Sequence, residues 1–276
     1  MEPLQGPGIF DRIEGKKAGE MMYSPEDYIA VFDSGVGGVS VLRQLRRVLP
    51  CERYIYFGDS ANAPYGSKTT EKVRELSFAV AERLREEYPV KALVVACNTA
   101  TAAAIRELRE AYPELIVIGI EPALKLAADS CPGGHIGVMA TQVTLREEKF
   151  DALLHRFRDA CTVYKIPAPG LVELVEAGKA DGPEMDAFLE TLLGPYRGKL
   201  NALVLGCTHY PFASKSITRI LGTGTILLDG GEGTARETKR RLEAAGLLRQ
   251  GEGSVEFISS ARDERTVTLA KKLLSQ

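Results

Sequence analysis

Two stretches of the chain decide its fold: ALVVACNT at residues 92–99 and ALVLGCTH at residues 202–209. Each is a short apolar run that ends on a cysteine followed by small polar residues. Such a run is typical of a buried strand in a parallel sheet. Because ligands bind at the carboxyl ends of such strands, the pattern predicts that Cys97 and Cys207 both belong to a site.

Similar runs alternate with amphipathic stretches from Ile29 to the end of the chain. This alternation predicts an α/β protein with mostly parallel sheets and helices on both faces. The predicted strands are 29–33, 53–58, 92–97, 115–120, 136–140, 162–166, 202–206, 225–229 and 255–259, and the clearest helices are 39–49, 69–87, 99–111 and 262–274.

The two halves of the chain resemble each other. IAVFDS at 29–34 aligns with IGVMAT at 136–141 at an offset of 107 residues, and the cysteine runs align at an offset of 110. We therefore expect two pseudo-symmetric, doubly wound domains with the active site in the cleft between them. The expected division is an extension at 1–28, a first domain of 29–121 plus 235–276, and a second domain of 122–234.

Composition narrows the class of protein. The 276 residues carry 35 basic and 37 acidic side chains, so charge gives no reason to expect nucleic acid or an anionic membrane as a partner. No apolar run approaches the ~20 residues of a membrane span, and the N-terminus lacks the apolar core of a secretory signal. Five cysteines without a Cys-x-x-Cys pair indicate reduced thiols in the cytoplasm, and no spacing of Cys and His favours a metal site.

A glycine-rich turn, DSGVGG at 33–38, follows the first strand and opens a helix whose backbone N–H groups can face an anion. Ser40 stands where a dinucleotide fingerprint would have its third glycine, and Asp33 would repel a pyrophosphate. A ligand loop and a simple turn capped by Asp33 both remain open. Tyr65 and Gly66, in the loop after the second strand, are further ligand candidates.

Paired thiols favour proton transfer at one carbon. A free thiol has a pKa of ~8.5, and a helix N-terminus or a neighbouring base raises its thiolate fraction. His209 is placed to assist Cys207, and Asp33 to assist Cys97. Two such groups on opposite faces of a carbon invert its configuration, since one removes a proton and the other delivers one. Carboxylate binding would fall to four polar residues, Ser34, Asn98, Thr99 and Thr208, and to backbone N–H groups.

These motifs resemble those of glutamate racemase, a member of the aspartate/glutamate racemase family. The matching segments run in the family's order, from Val31 to Pro211. They are VFDSGVGG at 31–38, GDS at 58–60 with PYG at 64–66, ACNTA at 96–100, GIEPA at 119–123 and LGCTHYP at 205–211. Aspartate racemases resemble the chain in the Cys-Asn-Thr element but usually carry Glu where His209 stands.

The resemblance implies specific roles. Cys97 would take the α-proton from D-glutamate and Cys207 from L-glutamate, assisted by Asp33 and His209, and Glu176 would support His209. The residues implied to hold the substrate are Asp33, Ser34, Tyr65, Gly66, Asn98, Thr99, Thr208 and His209.

The resemblance also implies a cytoplasmic isomerase, often a homodimer, that uses neither pyridoxal phosphate nor metal. Its product would supply D-glutamate for peptidoglycan, and thus for cell wall biogenesis and cell shape. Members with extra N-terminal residues include some that respond to a peptidoglycan nucleotide precursor, which gives residues 1–28 a possible regulatory role.

Three alternatives stay open from sequence. One is an aspartate or other amino-acid racemase on the same scaffold. Another is a hydrolase with a single cysteine nucleophile, and the third is a two-lobed binding module without turnover.

Overall fold

The computed structural model describes residues 23–120, 123–146, 154–157, 159–261 and 264–275. Strands and helices alternate along them, which confirms the predicted α/β class. The strands are β1 (Tyr28–Asp33), β2 (Arg53–Gly58), β3 (Val90–Val95), β4 (Ile116–Gly119), β5 (His135–Ala140), β6 (Thr162–Pro167), β7 (Ala202–Gly206), β8 (Ile226–Leu228) and β9 (Ser254–Ser259). The principal helices are α1 (Val39–Val48), α2 (Thr70–Glu87), α3 (Asn98–Ala111), α4 (Leu124–Ser130), α5 (Gln142–Arg146), α6 (Leu171–Glu176), α7 (Pro183–Leu193), α8 (Ser214–Leu221), α9 (Gly231–Ala244) and α10 (Glu264–Leu274).

The strands form two parallel sheets of related topology. The first has the order β4-β3-β1-β2-β9 and the second β6-β5-β7-β8. In reverse, the second order is β8-β7-β5-β6, which matches β4-β3-β1-β2 strand for strand. The register matches too, because Ile29 pairs with Ala92 and Ile136 pairs with Ala202. The internal repeat seen in the sequence is therefore a repeat of the doubly wound fold.

Local chemistry explains the helix boundaries that matter for the site. α1 buries Val41, Leu42 and Leu45 against the first sheet, and Pro50 follows its end, where a helix cannot continue. α2 begins after Thr69, whose side chain accepts a hydrogen bond from the Lys72 N–H, as helix N-caps do.

The third strand ends earlier than the sequence pattern predicts. β3 stops at Val95, and the Ala96 N–H then bonds to the Phe32 carbonyl at 2.8 Å. Cys97 is the N-cap of α3, because its sulfur accepts a hydrogen bond from the Ala100 N–H at 3.5 Å. The cysteine thus belongs to the start of the helix. At the other end of the sheet, β1 begins at Tyr28, one residue before the predicted position.

Apolar side chains form one cluster around the first sheet and two around the second. Ala235 and Leu242 of α9 and Leu273 of α10 pack into the first cluster, so the chain returns to the first sheet near its C-terminus. The domain boundaries themselves stay a prediction, and residues 1–22 and 121–122 lie outside the described residues. None of the described helices combines the length and apolar character that a bilayer crossing requires.

Candidate active site

A cavity of about 280 Å³ lies where the carboxyl ends of the two sheets meet. Both Cys97, which follows β3, and Cys207, which follows β7, line it. The predicted site residues that share this lining are Ser34, Tyr65, Gly66, Asn98, Thr99, Thr208, His209 and Glu176. The fold therefore brings together residues that are distant in the chain, as expected for strand ends around a cleft.

The Cys97 side chain is buried. Its thiol donates a hydrogen bond to the Ser34 hydroxyl at 3.6 Å, and its sulfur accepts one from the Ala100 N–H at 3.5 Å. Burial raises the pKa of the Cys97 thiol to about 12, and the nearby carboxyl of Asp33 adds to the rise. The two hydrogen bonds oppose this rise without reversing it. At neutral pH Cys97 is a thiol, which holds a proton ready for transfer.

Asp33 lies behind the cavity and is absent from its described lining. Its side chain is fully buried, and its two oxygens accept hydrogen bonds from the Gly35 N–H at 3.0 Å and the Thr208 hydroxyl at 3.1 Å. Burial raises the pKa of this carboxyl, against the lowering effect of His209 and the hydrogen bonds. In this structure Asp33 links the two halves, and its direct contact with substrate stays a prediction.

The second thiol has a different neighbour. Cys207 Sγ lies 3.8 Å from His209 Nδ1, and His209 Nε2 lies 3.0 Å from Glu176 Oε1. Burial lowers the pKa of His209, but hydrogen bonds to Cys207 and Glu176 outweigh it and raise that pKa to about 10. At neutral pH His209 is thus an imidazolium between a sulfur and a carboxylate.

The glycine turn of the first half packs directly on these groups of the second half. A Cβ on Gly37 would overlap the His209 ring and lie 2.5 Å from Thr208 Oγ1. A Cβ on Gly35 would lie 2.5 Å from Glu176 Oε1. Ser40, at the start of α1, donates a hydrogen bond from its hydroxyl to the Thr208 carbonyl at 2.9 Å. Because Gly35 and Gly37 have no side chain, the two halves can approach each other closely at this turn.

Tyr65 and Gly66 close another side of the cavity. The Tyr65 hydroxyl donates to Asp59 Oδ2 at 2.6 Å, and the same carboxyl accepts from Asn62 Nδ2 at 3.1 Å. Burial and this hydrogen bond raise the pKa of Tyr65. A Cβ on Gly66 would lie 2.9 Å from the Thr141 side chain, so this loop also reaches the second half.

Sequence reasoning missed a cluster of three threonine hydroxyls across the cleft. Thr99 Oγ1 lies 3.2 Å from Thr141 Oγ1 and 3.4 Å from Thr144 Oγ1, and these last two are 3.1 Å apart. A signal for it existed, because the internal repeat aligns Thr141 with Ser34. Asn98 is also poised for a ligand, since its buried Nδ2 has no hydrogen-bond partner among the described residues.

The polar character of the cavity fits a small zwitterion. Its described lining holds no lysine or arginine, so carboxylate groups would meet hydroxyls, the Asn98 amide and the His209 imidazolium. Glu173 and Glu176 supply negative charge on the α6 side, where an ammonium group would bind. Burial of Asn98 and His209 makes their interactions with such a ligand stronger than they would be in water.

Comparison with known proteins finds similar sequences and similar folds. A family model described as Asp/Glu/Hydantoin racemase matches residues 34–238. A glutamate racemase of Clostridium perfringens is 45% identical over 249 residues, which cover 89% of this chain and 95% of that protein. A solved glutamate racemase isoform of Bacillus anthracis has a TM-score of 0.83 at 32% identity, covering 91% of this chain and 95% of that one. The glutamate racemase of Escherichia coli, solved with L-glutamate and the activator UDP-MurNAc-Ala, has a TM-score of 0.80 at 32% identity and covers 90% and 95%.

Proposed function

Because the chain belongs to the Asp/Glu/hydantoin racemase family, and within it to the glutamate racemases, we propose that it interconverts L- and D-glutamate by proton transfer between two cysteines, without a cofactor. It is an isomerase of the amino-acid racemase class. The observation that carries the two-base mechanism is the common cavity, which both Cys97 and Cys207 line from different halves of the fold.

The surroundings of the thiols support opposite roles in each direction. With its pKa raised to about 12, Cys97 holds a proton at neutral pH. Cys207 lies beside the His209 imidazolium, which is the charge complement of a thiolate. With these neighbours, Cys207 is the base that removes the α-proton of L-glutamate, and Cys97 protonates the opposite face. D-glutamate then reacts from the reversed state, with Cys97 as the base and Asp33 in support.

Substrate binding follows from the donors on the cavity wall. The Asn98 amide, the Ser34 hydroxyl and the Thr208 backbone N–H would hold the α-carboxylate near the thiols, since the Thr208 hydroxyl already donates to Asp33. Thr99 and Thr141, which line the cavity and lie within hydrogen-bond distance of Thr144, would take the side-chain carboxylate, because each hydroxyl can donate one hydrogen bond.

One experiment tests the reaction and its rivals together. The purified protein is incubated with L-glutamate in deuterated water, and circular dichroism and α-deuterium incorporation are followed. We expect loss of optical activity, with deuterium in the product enantiomer. Unchanged optical activity and no deuterium would refute the racemase. Turnover of aspartate in place of glutamate would favour the aspartate alternative, and a covalent acyl intermediate would favour the hydrolase.

The cellular role is part of the same proposal. The relatives are named glutamate racemases, and D-glutamate is a component of peptidoglycan. We place the enzyme in the cytoplasm, as a homodimer that supplies cell wall biogenesis and thereby cell shape. Growth of a strain depleted of this protein should recover when D-glutamate is supplied.

Regulation by a peptidoglycan nucleotide precursor is a further element of the proposal, since the Escherichia coli relative was solved with such an activator. The N-terminal residues expected to respond, 1–28, are described only from Tyr23 onward, and Tyr23 and Tyr28 are buried in the first core. A deletion should therefore stop at residue 22. If that deletion left both the activity and its response to the precursor unchanged, the proposed regulatory role of the extension would be refuted.

A further inference from the structure

Tyr56, in the middle of β2, is a buried tyrosine whose hydroxyl points at the glycine turn. Its side chain is 2% exposed, and its hydroxyl donates to the Gly35 carbonyl at 2.8 Å. A tyrosine buried at this depth normally uses its hydroxyl in a hydrogen bond, because an unpaired buried hydroxyl is costly. Tyr56 does not line the cavity described above.

Gly35 is held on its other sides as well. A Cβ on Gly58, two residues after Tyr56, would lie 2.6 Å from the Gly35 carbonyl oxygen, so β2 presses on the same peptide. The Gly35 N–H donates to Asp33 at 3.0 Å. On its far side, a Cβ on Gly35 would lie 2.5 Å from Glu176 Oε1 and 3.7 Å from His209 Nε2.

A continuous line of contacts thus runs from β2 of the first half to the thiol of the second. The Tyr56 hydroxyl holds the Gly35 carbonyl, and the Gly35 Cα packs against the Glu176 carboxylate. Glu176 bonds to His209, and His209 contacts Cys207. A methyl group on Gly35 would overlap the Glu176 carboxylate, so the position of this peptide limits where the carboxylate can lie beside His209.

We propose that Tyr56 is a positioning residue for the Cys207 half of the reaction, acting through Gly35 to hold the Glu176 carboxylate against His209. This inference rests on the two-base racemase proposed above. Tyr56 touches no reacting atom. Its hydroxyl fixes the peptide on which the Glu176–His209 pair rests, so its effect is confined to the thiol that His209 assists.

Tyr56→Phe is the direct test, and Tyr54→Phe is its matched control. Tyr54 lies two residues earlier on β2, is 1% exposed, and donates its hydroxyl to the Leu45 and Leu49 carbonyls at 3.1 and 2.8 Å. Both variants keep the ring and lose one buried hydroxyl, so both should lose stability. Only Tyr56→Phe leaves the Gly35 carbonyl without its donor, and only its kcat/KM should fall, by about tenfold.

Isotope effects identify which thiol is affected. The equilibrium constant of a racemase is unity, so kcat/KM falls equally in both directions whichever step slows. In contrast to kcat/KM, the α-deuterium isotope effect can change independently for each enantiomer. If removal of the L-glutamate proton becomes slower, the isotope effect with α-deuterated L-glutamate rises and that with D-glutamate falls. We expect this divergence in Tyr56→Phe and its absence in Tyr54→Phe.

A readout without turnover separates failure of this inference from failure of the proposed function. With imidazole nitrogens labelled, the chain has three histidines to follow by NMR. In Tyr56→Phe the His209 pKa should fall below its wild-type value of about 10, because the Glu176 contact loosens. It should be unchanged in Tyr54→Phe.

Three results would overturn the inference. The first is a Tyr56→Phe protein with wild-type kcat/KM and a wild-type His209 titration. The second is an isotope divergence in the opposite sense, which would assign Tyr56 to Cys97. The third is an equal activity loss in Tyr54→Phe, which would show a general loss of stability. A wild-type protein that does not racemise glutamate would refute the proposed function instead.

Discussion

The two halves of the molecule share a fold but surround their cysteines with different side chains. The strand orders match and the registers match, so Cys97 and Cys207 are equivalent in backbone position. Their neighbours are unlike. Cys97 has a hydroxyl and a backbone N–H, with an acidic group nearby, whereas Cys207 has an imidazolium. Duplication of the fold supplies the geometry for the two proposed bases, and the side chains around them give each thiol a different environment.

The residue two positions after each cysteine illustrates this division. Thr99, after Cys97, reaches across the cleft to Thr141, while His209, after Cys207, reaches to Glu176 of its own half and packs on Gly37 of the other. Under the proposed function, the threonine would bind a ligand carboxylate and the histidine would assist proton transfer. The difference between the repeats at this one position would then separate substrate recognition from acid–base assistance.

Replacing either active-site cysteine should have the largest effect on racemase activity. Cys97→Ser and Cys207→Ser should each lose roughly 10³-fold or more of racemase activity, because a serine hydroxyl is far less acidic than a thiol and cannot exchange the proton. Optical rotation measured from both enantiomers checks this. The control is Cys161→Ser, a buried cysteine of the second half that bonds to the Phe157 carbonyl and does not line the cavity. Near-normal turnover in either active-site variant would contradict the two-base mechanism.

The sequence was sufficient for most of the fold. The predicted strands 53–58 and 202–206 agree with β2 and β7 to the residue, because apolar runs there end on glycine. The end of β3 could not be predicted, since Ala96 and Cys97 suit a buried strand as well as a helix start, and only the hydrogen bond to Cys97 Sγ decides.

The site was partly predictable for a related reason. Residues directly after a strand were found, because topology alone brings strand ends together. Thr141 and Glu173 were missed, and Asp33, which was expected at the substrate, is absent from the described lining, so its contact with substrate stays a prediction. These positions depend on how the two halves face each other across the cleft, which no short sequence pattern encodes.

Filling the space at Gly37 should have the next largest effect. In Gly37→Ala the new methyl group overlaps the His209 ring and Thr208 Oγ1, so either the turn or the imidazolium must move. We expect kcat/KM to fall about 100-fold and the free energy of unfolding to fall by about 1–3 kcal/mol. Steady-state kinetics and denaturant unfolding measure the two effects.

Gly233→Ala is the matched control for that substitution. Gly233 lies in α9, and a Cβ there would meet nothing within 4 Å. Since alanine is the better helix former by about 1 kcal/mol, this variant should be no less stable than the wild type and fully active. Wild-type activity in Gly37→Ala would mean that the reaction does not depend on the close approach of the two halves.

Removing the charge of Glu176 should have the smallest effect and should depend on pH. Glu176→Gln keeps an acceptor for His209 Nε2 but loses the carboxylate, so the His209 pKa falls from about 10 toward 6.5. A raised pKa stabilises the folded state fully below pH 6.5, and this stabilisation is lost as the pH rises through about 10. The deficit in unfolding free energy should therefore be largest below pH 6.5 and disappear as the pH rises through about 10. We expect kcat/KM to fall about tenfold, with its alkaline limb at lower pH. Glu173→Gln, one turn earlier on α6 and also at the cavity, should show neither pH shift. If the two variants had identical pH profiles, the Glu176–His209 pair would not explain how Cys207 differs from Cys97.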